Sequence, residues 1–144
     1  MKARIKWIEK VQFVGQAGSG HSVVMDGAPE DGGENLGFRP MEMLLMGLGG
    51  CTAFDVVTIL RKGRHQVMAC EVDIEAERAG TVPKVFTKIR IHFSLTGIDL
   101  PDEAVKRAVA LSAEKYCSAS IMFGKTAEIT HDYEIIRPPL ARLP

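Results

Sequence analysis

The sequence predicts an α+β fold built mainly from antiparallel strands. Two observations lead to this class. Apolar and polar residues alternate along several short segments, as they do in strands with one buried face. Two longer segments have helical character, and a pair of strands separates them. The predicted order is three strands, a helix, two strands, a helix with a short extra turn, and a strand. This order differs from the regular alternation of doubly wound folds.

Three short strands are predicted before residue 26. In KARIKWIE, the apolar residues Ala3, Ile5 and Trp7 alternate with basic residues, which predicts a half-buried strand. QFVG and HSVVM follow as two further strands, joined by a glycine-rich turn. We interpret that turn as a hairpin, because it lacks the lysine of a phosphate-binding loop and does not open a helix. A polar loop then leads to the first helix.

The segment RPMEMLLMGLGGCTAFDVVTIL predicts a helix from Pro40 to about Gly63. Proline is favourable at a first helical position, and basic residues near the end suit the helix dipole. Three glycines interrupt the apolar sequence, although each costs about 0.8–1 kcal/mol relative to alanine inside a helix. They are Gly47, Gly49 and Gly50. They leave room beside Cys51 for a packed element or a substrate. Because the helix is apolar on all sides, we expect a second subunit to bury it.

The second half of the chain predicts a β-hairpin, a helix and a closing strand. QVMACEVDIEAE and VFTKIRIHFSL alternate regularly and should pair antiparallel, with Val85, Thr87 and the alternate residues that follow them on one apolar face. PDEAVKRAVALSAEKYC predicts the second helix, SASIMFG a short helical turn, and AEITHDYEI the last strand. Prolines in the tail RPPLARLP should end the sheet. We expect a single domain over residues 1–144.

Charge and composition argue against several classes of function. The 18 basic and 18 acidic residues cancel, so there is no general electrostatic case for nucleic acid or an anionic membrane as a partner. The N-terminus has no apolar core of signal-peptide length, and the longest apolar run, residues 41–48, is too short to span a bilayer. We therefore expect a cytoplasmic protein whose three cysteines are reduced. Cysteine and histidine do not occur at metal-binding spacings, so no metal is expected.

Cys70 and Cys117 have contrasting sequence surroundings. Cys70 shares a strand face with Val72 and Ile74, and we expect it to be buried and unreactive. Cys117 lies where the second helix ends and another helical turn begins. Backbone N–H groups at such an N-terminus favour the thiolate.

Cys51 allows two interpretations. Small residues precede it by one turn and Asp55 follows by one turn. It is either a core cysteine at a close helix crossing or a reactive thiol. A free cysteine is mostly protonated at neutral pH, so a reactive Cys51 requires a positive or hydrogen-bond-donating group. Arg39 and Arg64 are the nearest cationic candidates in the sequence. Together, Cys51 and Cys117 suggest an attacking and a resolving thiol.

The segment RPMEMLLMGLGGCTAFDVV, followed 66 residues after Cys51 by EKYCSASIMFG, resembles the OsmC/Ohr family of cysteine-based peroxidases, and in particular its OsmC-like branch. The resemblance covers nearly the whole chain. It implies an intertwined homodimer with the two cysteine helices at its centre. It also implies hydroperoxide reduction without a metal or flavin cofactor. Cys51 would match the peroxidatic cysteine and Cys117 the resolving cysteine, and a thiol or lipoyl-type dithiol would reduce their disulfide.

The chain departs from the family pattern around the activating residues. Well-characterised members have an N-terminal arginine near the thiolate and a glutamate directly after the helix-starting proline. Here Met41 follows the proline, Glu42 comes one place later, and the glycine-rich turn has no arginine. Arg39 and Glu42 are therefore the candidate activating or substrate-binding residues.

Three functions are compatible with these features. The leading one is a thiol-dependent peroxidase that reduces organic hydroperoxides, with hydrogen peroxide as a further substrate, in oxidative-stress defence. The alternative is a non-catalytic OsmC-like protein that senses redox state or binds a small ligand in a pocket at the dimer interface. A cysteine hydrolase with His131 as base is less favoured, because His131 shares a strand face with Ile129 and Tyr133 and suits a core position.

Overall fold

A computed structural model describes residues 1–138 of the chain. The elements in order are β1 (Ala3–Glu9), β2 (Gln12–Ala17), β3 (Ser22–Met25), a 3₁₀ turn (Pro29–Asp31), α1 (Pro40–Lys62), β4 (Gln66–Arg78), β5 (Phe86–Ile98), α2 (Asp102–Leu111), a π-helical turn (Ser112–Tyr116), α3 (Ser118–Phe123) and β6 (Glu128–Ile136). Two sheets and three α-helices confirm the α+β class. The last residues of the predicted tail, 139–144, lie outside the described residues.

The chain forms two compact units, with the boundary between Met46 and Gly47 inside α1. The expectation of a single domain over residues 1–144 stays a prediction. In the first unit, β1, β2 and β3 form an antiparallel sheet in that order, as the sequence predicts. The predicted burial of one face of β1 is wrong within this chain, since Ile5 and Trp7 are about 60% exposed. β1 is an edge strand, and within residues 1–138 no layer covers its apolar side chains as their alternation predicts.

Asp26 organises the loop that leads to α1. Its buried carboxylate accepts backbone hydrogen bonds from Gly27 (2.7 Å), Glu34 (3.0 Å) and Leu36 (3.0 Å). These bonds, that from Leu36 foremost, lower the pKa of Asp26 despite its burial. The sequence carries no local signal for this anchor, because the partners of Asp26 lie up to ten residues away in a segment without periodicity.

Helix α1 begins at Pro40, as predicted, and buries one face within the chain. The buried residues follow helical spacing and are Leu48, Gly49, Thr52, Val56 and Leu60. Only one of the three glycines is explained by packing here: a Cβ at Gly49 would lie 3.0 Å from Cδ1 of Ile74 on β4. Gly47 and Gly50 face open space.

Helix α1 is also long and apolar enough to cross a membrane. Its most apolar 18-residue window has a mean hydropathy of 1.8, and 28% of that window is buried. The uninterrupted apolar run of residues 41–48 is too short for a span, but the whole helix reaches the length and composition because glycine does not end it. Length and composition alone do not separate a membrane span from an apolar helix of a soluble protein.

The second unit contains a sheet of order β4-β5-β6. β4 and β5 are antiparallel, as predicted, whereas β6 joins β5 in parallel through the crossover that contains α2 and α3. The inner face of β5 is buried through Ile89, Ile91, Phe93 and Leu95. Val85 and Thr87, which were expected on the same face, are exposed. The register shifts between Glu77 and Arg78, and Phe86 points inward instead.

Candidate active site

Helix α1 and the start of α3 bring Cys51 and Cys117 together. The two Sγ atoms and a carboxylate oxygen of Asp55 all lie within 4.8 Å of one another. We call these three residues the cysteine cluster. Asp55 follows Cys51 by one turn of α1, so both side chains leave the same face of the helix. Cys117 is buried and Cys51 is half-buried. One of the two cysteines is therefore partly open to solvent, and the other is enclosed.

Cys117 is the N-cap of α3. Its backbone is extended after the π-helical turn, and its Sγ accepts a hydrogen bond from the backbone N–H of Ser120 at 3.4 Å. Burial raises the pKa of the Cys117 thiol, and the proximity of Cys51 raises it further, although hydrogen bonds from Ser120 lower it. The net direction is upward. The sequence correctly indicates the helix N-terminus, but burial outweighs the stabilisation of the thiolate expected there.

Two buried hydroxyl groups connect the cluster to the π-helical turn that follows α2. The Oγ1 of Thr52 and the Oγ of Ser112 lie 2.8 Å apart, and the Oγ of Ser112 also donates to Oδ2 of Asp55 at 3.4 Å. Among residues 1–138, no basic side chain comes within ion-pair distance of Asp55. Sequence reasoning placed Ser112 on the buried face of α2 and assigned it no partner. A hydroxyl on an otherwise apolar face was the available signal.

Arg39 and Glu42 contact each other at the start of α1. The backbone N–H of Arg39 donates to Oε2 of Glu42 at 3.0 Å, and Nη1 of Arg39 donates to Oε1 at 3.3 Å. The pair therefore caps the first turn of the helix, and a role of Arg39 and Glu42 at Cys51 stays a prediction.

The comparisons with known proteins assign the family. The family described as OsmC-like protein matches residues 32–132, a range that contains all three members of the cysteine cluster. The chain belongs to the OsmC-like family. Protein YhfA of Escherichia coli strain K12 is 52% identical over 136 residues, which cover 94% of this chain and 98% of that protein. The resemblance expected from the two cysteine motifs is thus confirmed.

Solved structures agree with the OsmC-like fold. A hypothetical protein from Aquifex aeolicus VF5 is 27% identical with a TM-score of 0.84, covering 95% of this chain and 96% of that one. An organic hydroperoxide resistance protein OsmC from Legionella pneumophila is 16% identical with a TM-score of 0.71, covering 93% and 97%. The second similarity concerns the fold alone. The predicted fold class is confirmed by both.

In this OsmC-like chain, Cys70 and His131 lie outside the cysteine cluster. Cys70 is half-buried, so the expectation that it is buried is wrong. Its partial burial raises the pKa of its thiol, and the negative charge of Glu71 raises it further. His131 lies on β6, where burial lowers its pKa, and its Nε2 has no hydrogen-bond partner among the described residues. The cluster contains no histidine nitrogen within the described part of the chain. The hydrolase interpretation, with His131 as the base, stays a prediction.

A second group of ionisable side chains lies on the outer face of the β4-β5-β6 sheet. Arg90 and His92 of β5 both contact Asp132 of β6, with Nη2 of Arg90 2.9 Å from Oδ2 and the His92 Nδ1 hydrogen-bonded to Oδ1. Nε2 of His92 also lies 3.7 Å from Glu134. We call these four residues the outer ladder. Hydrogen bonding to Asp132 raises the pKa of His92. The pKa of Asp132 is lowered, first by its hydrogen bond with His92 and second by its hydrogen bonds with Arg90.

Proposed function

We propose that the chain is a thiol-dependent peroxidase that reduces organic hydroperoxides through Cys51 and Cys117. The observation that carries the proposal is the approach of the two thiols, whose Sγ atoms lie within 4.8 Å although they are 66 residues apart. Membership of the OsmC-like family supports it. A structural neighbour named an organic hydroperoxide resistance protein suggests the substrate class. Defence against oxidative stress in the cytoplasm is the role that we infer.

The proposed reaction consumes one hydroperoxide and two thiols. The Cys51 thiolate attacks the distal peroxide oxygen, the O–O bond breaks, and the alkoxide leaves as an alcohol after taking up a proton. Cys51 is now a sulfenic acid. The Cys117 thiolate attacks its sulfur, forming the disulfide, and the hydroxyl group leaves as water. Two electrons pass from the thiols to the peroxide, and a dithiol of the lipoyl type restores the thiols by exchange.

The positions of the two cysteines suit these separate roles. Cys51 is half-buried, so a small peroxide can reach it, whereas Cys117 is buried and must wait for a sulfenic acid to form beside it. The sulfurs need to approach to about 2.05 Å in the disulfide. Rotation of the two side chains supplies much of this movement, since Cys117 is an N-cap outside the regular helix. Hydrogen peroxide is a further substrate in this proposal, because it is smaller than the organic peroxides.

We propose that the protein functions as a homodimer. Apolar residues of α1 are exposed in the chain, including Leu44 and Met46 and, at 71%, Phe54. A helix that is apolar on both faces requires a cover on each of them. Zero formal net charge leaves little repulsion between copies. A second copy of this chain is the proposed cover, as the family resemblance implies.

Light scattering after gel filtration tests the homodimer. We expect twice the chain mass for the wild-type protein and a shift toward the monomer for Phe54→Glu, because a charge would have to be buried against the partner. Val82→Glu is the matched control, since Val82 is exposed in the β4–β5 turn. A wild-type protein of single-chain mass would contradict the homodimer.

The alternative is a redox-sensing or ligand-binding protein without turnover. One observation favours it: the pKa of Cys117 is raised, so the buried thiol is mostly protonated at neutral pH and resolves a sulfenic acid slowly. Such a chain would still oxidise at Cys51, but it would not cycle. The two functions therefore differ in the number of peroxides consumed.

Peroxide consumption with a dithiol reductant tests the proposed function. We expect many equivalents of cumene hydroperoxide to be consumed by wild type and by Cys70→Ser, and none above background by Cys51→Ser. Arg39→Met should lower the rate if Arg39 activates Cys51, and Glu42→Gln tests its ion-pair partner in the same way. Consumption that stops after one equivalent favours the sensor. Consumption that is unaffected by Cys51→Ser would refute both functions.

A further inference from the structure

We propose that Cys51, Asp55 and Cys117 form a binding site for a thiophilic divalent cation of the zinc type in the reduced protein. The three donor atoms lie within 4.8 Å of one another. Two thiolates and one carboxylate are donors that zinc accepts in tetrahedral sites. This site goes beyond the proposed function and does not depend on it, since it requires reduced thiols and no peroxide.

The spacing of the donor atoms is close to that of a tetrahedral site. Zinc binds sulfur at about 2.3 Å and carboxylate oxygen at about 2.0–2.2 Å, so donor atoms around it lie roughly 3.5–3.8 Å apart. The observed limit of 4.8 Å therefore requires a closure of no more than about 1.3 Å. Such a change is within the range of side-chain rotation.

Hydrogen bonds already orient two of the three ligands. The Sγ of Cys117 accepts from the backbone N–H of Ser120, and the carboxylate of Asp55 accepts from the Oγ of Ser112. Outer-shell partners of this kind hold metal ligands in place and are characteristic of metal sites. Half-buried Cys51 leaves an approach for the ion and a fourth position for water.

The charges at the site also suit a cation. Binding one divalent ion to both thiols releases two protons and leaves two thiolates and one carboxylate around a charge of +2. The carboxylate of Asp55 has no basic partner within ion-pair distance among residues 1–138. A cation would supply the missing counter-charge. The spacing rules used on the sequence could not find the site, because they compare neighbours along the chain.

Metal binding and disulfide formation compete for the same sulfur atoms. A bound ion would hold Cys51 and Cys117 in the reduced state, and a Cys51–Cys117 disulfide would exclude the ion. The state of the two thiols therefore depends on how much metal ion is available as well as on the oxidants present.

Anaerobic titration of the reduced, chelator-washed full chain with Co²⁺ tests the site. We expect one ion per chain, a near-ultraviolet thiolate-to-cobalt charge-transfer band, visible bands of a tetrahedral ion, and loss of these bands when Zn²⁺ displaces the cobalt. Cys51→Ser and Cys117→Ser should each reduce the charge-transfer band. Asp55→Asn, which preserves shape, should weaken binding by at least about tenfold.

Asp73→Asn and Cys70→Ser are the matched controls, and both should bind cobalt as the wild type does. Absence of the charge-transfer band in folded wild-type protein would overturn the site. Unchanged cobalt affinity in Asp55→Asn would overturn the three-ligand assignment. The titration contains no peroxide, and a chelator added to the peroxidase assay removes the metal, so each proposal can fail without the other.

Discussion

The cysteine cluster and the outer ladder both concentrate ionisable side chains in the unit that begins at Gly47, but they use them differently. In the outer ladder, Arg90 and His92 are each joined to a carboxylate on β6, and the pairing follows the register of the strands. In the cysteine cluster, two thiols and a carboxylate lie together with hydroxyl and N–H donors around them. Charges that neutralise each other help to fix a sheet, whereas groups held together without neutralisation remain available for chemistry.

Removing the resolving thiol should have the largest effect on the cysteine cluster. In Cys117→Ser, we expect one equivalent of hydroperoxide to leave a sulfenic acid at Cys51, because no thiol within 4.8 Å remains to attack it. Dimedone labelling followed by mass spectrometry detects this species. The wild-type protein should be labelled weakly and should contain the disulfide instead. Equal labelling of both proteins would show that Cys117 does not resolve Cys51.

The pH dependence of disulfide formation should be steep. The pKa of Cys117 is raised above its ordinary value of 9.0, so its thiolate is a small fraction at neutral pH. That fraction grows about tenfold for each pH unit below the pKa. We expect the conversion of sulfenic acid to disulfide to accelerate accordingly from about pH 6 to about pH 8, measured by competition with dimedone. A rate independent of pH in this range would contradict burial as the dominant influence on Cys117.

Removing one hydroxyl of the buried pair beside the cluster should destabilise the protein, and removing both hydroxyls should restore most of the lost stability. Ser112→Ala leaves the Oγ1 of Thr52 without its partner at 2.8 Å, and a buried unsatisfied hydroxyl costs about 1–3 kcal/mol of unfolding free energy. Adding Thr52→Val removes the unsatisfied group and should recover most of the loss. Urea denaturation measures both. A double variant less stable than Ser112→Ala would contradict this account.

A substitution in the outer ladder should have the smallest effect on stability, and this effect should be confined to mildly acidic pH. The pKa of His92 is raised, so its stabilisation is complete below its unfolded value near 6.5 and is lost as pH rises through the folded pKa. The pKa of Asp132 is lowered, so its stabilisation is complete above 3.8 and is lost as pH falls through the folded pKa. His92→Asn should therefore lower the melting temperature mainly between these values.

Salt provides the control for the outer ladder. The difference between His92→Asn and wild type should shrink at high ionic strength, because the pair is partly exposed. A larger destabilisation at alkaline pH than at mildly acidic pH would contradict the assigned charges.

Local patterns were sufficient to predict much of the fold. The proline at a first helical position and the apolar residues that follow it predicted α1 from Pro40. The spacing of Val105, Ala108 and Val109 predicted the buried face of α2. The parallel pairing of β6 was not predictable in this way, because alternation reports which face of a strand is buried and carries no information on the direction of its neighbour.

The candidate site depended on contacts that cross long stretches of sequence. Neither cysteine alone indicated a partner; Cys51 and Cys117 together suggested an attacking and a resolving thiol, and the family resemblance then supported the pair. The hydrogen bond between Ser112 and Asp55 joins the π-helical turn to α1 across 57 residues and has no local signature. The glycines show the same limit: Gly49 and Gly50 are equivalent in the sequence, yet only Gly49 faces Ile74.

The most direct test of the central claim, that Cys51 and Cys117 form a functional pair, compares all three cysteines in one reaction. Reduced protein is exposed to one equivalent of cumene hydroperoxide, quenched over milliseconds to minutes, and mapped by mass spectrometry. The account predicts a Cys51–Cys117 disulfide that forms well before Cys70 is oxidised, and that is absent in Cys51→Ser. Oxidation of Cys51 no faster than that of Cys70 would contradict it.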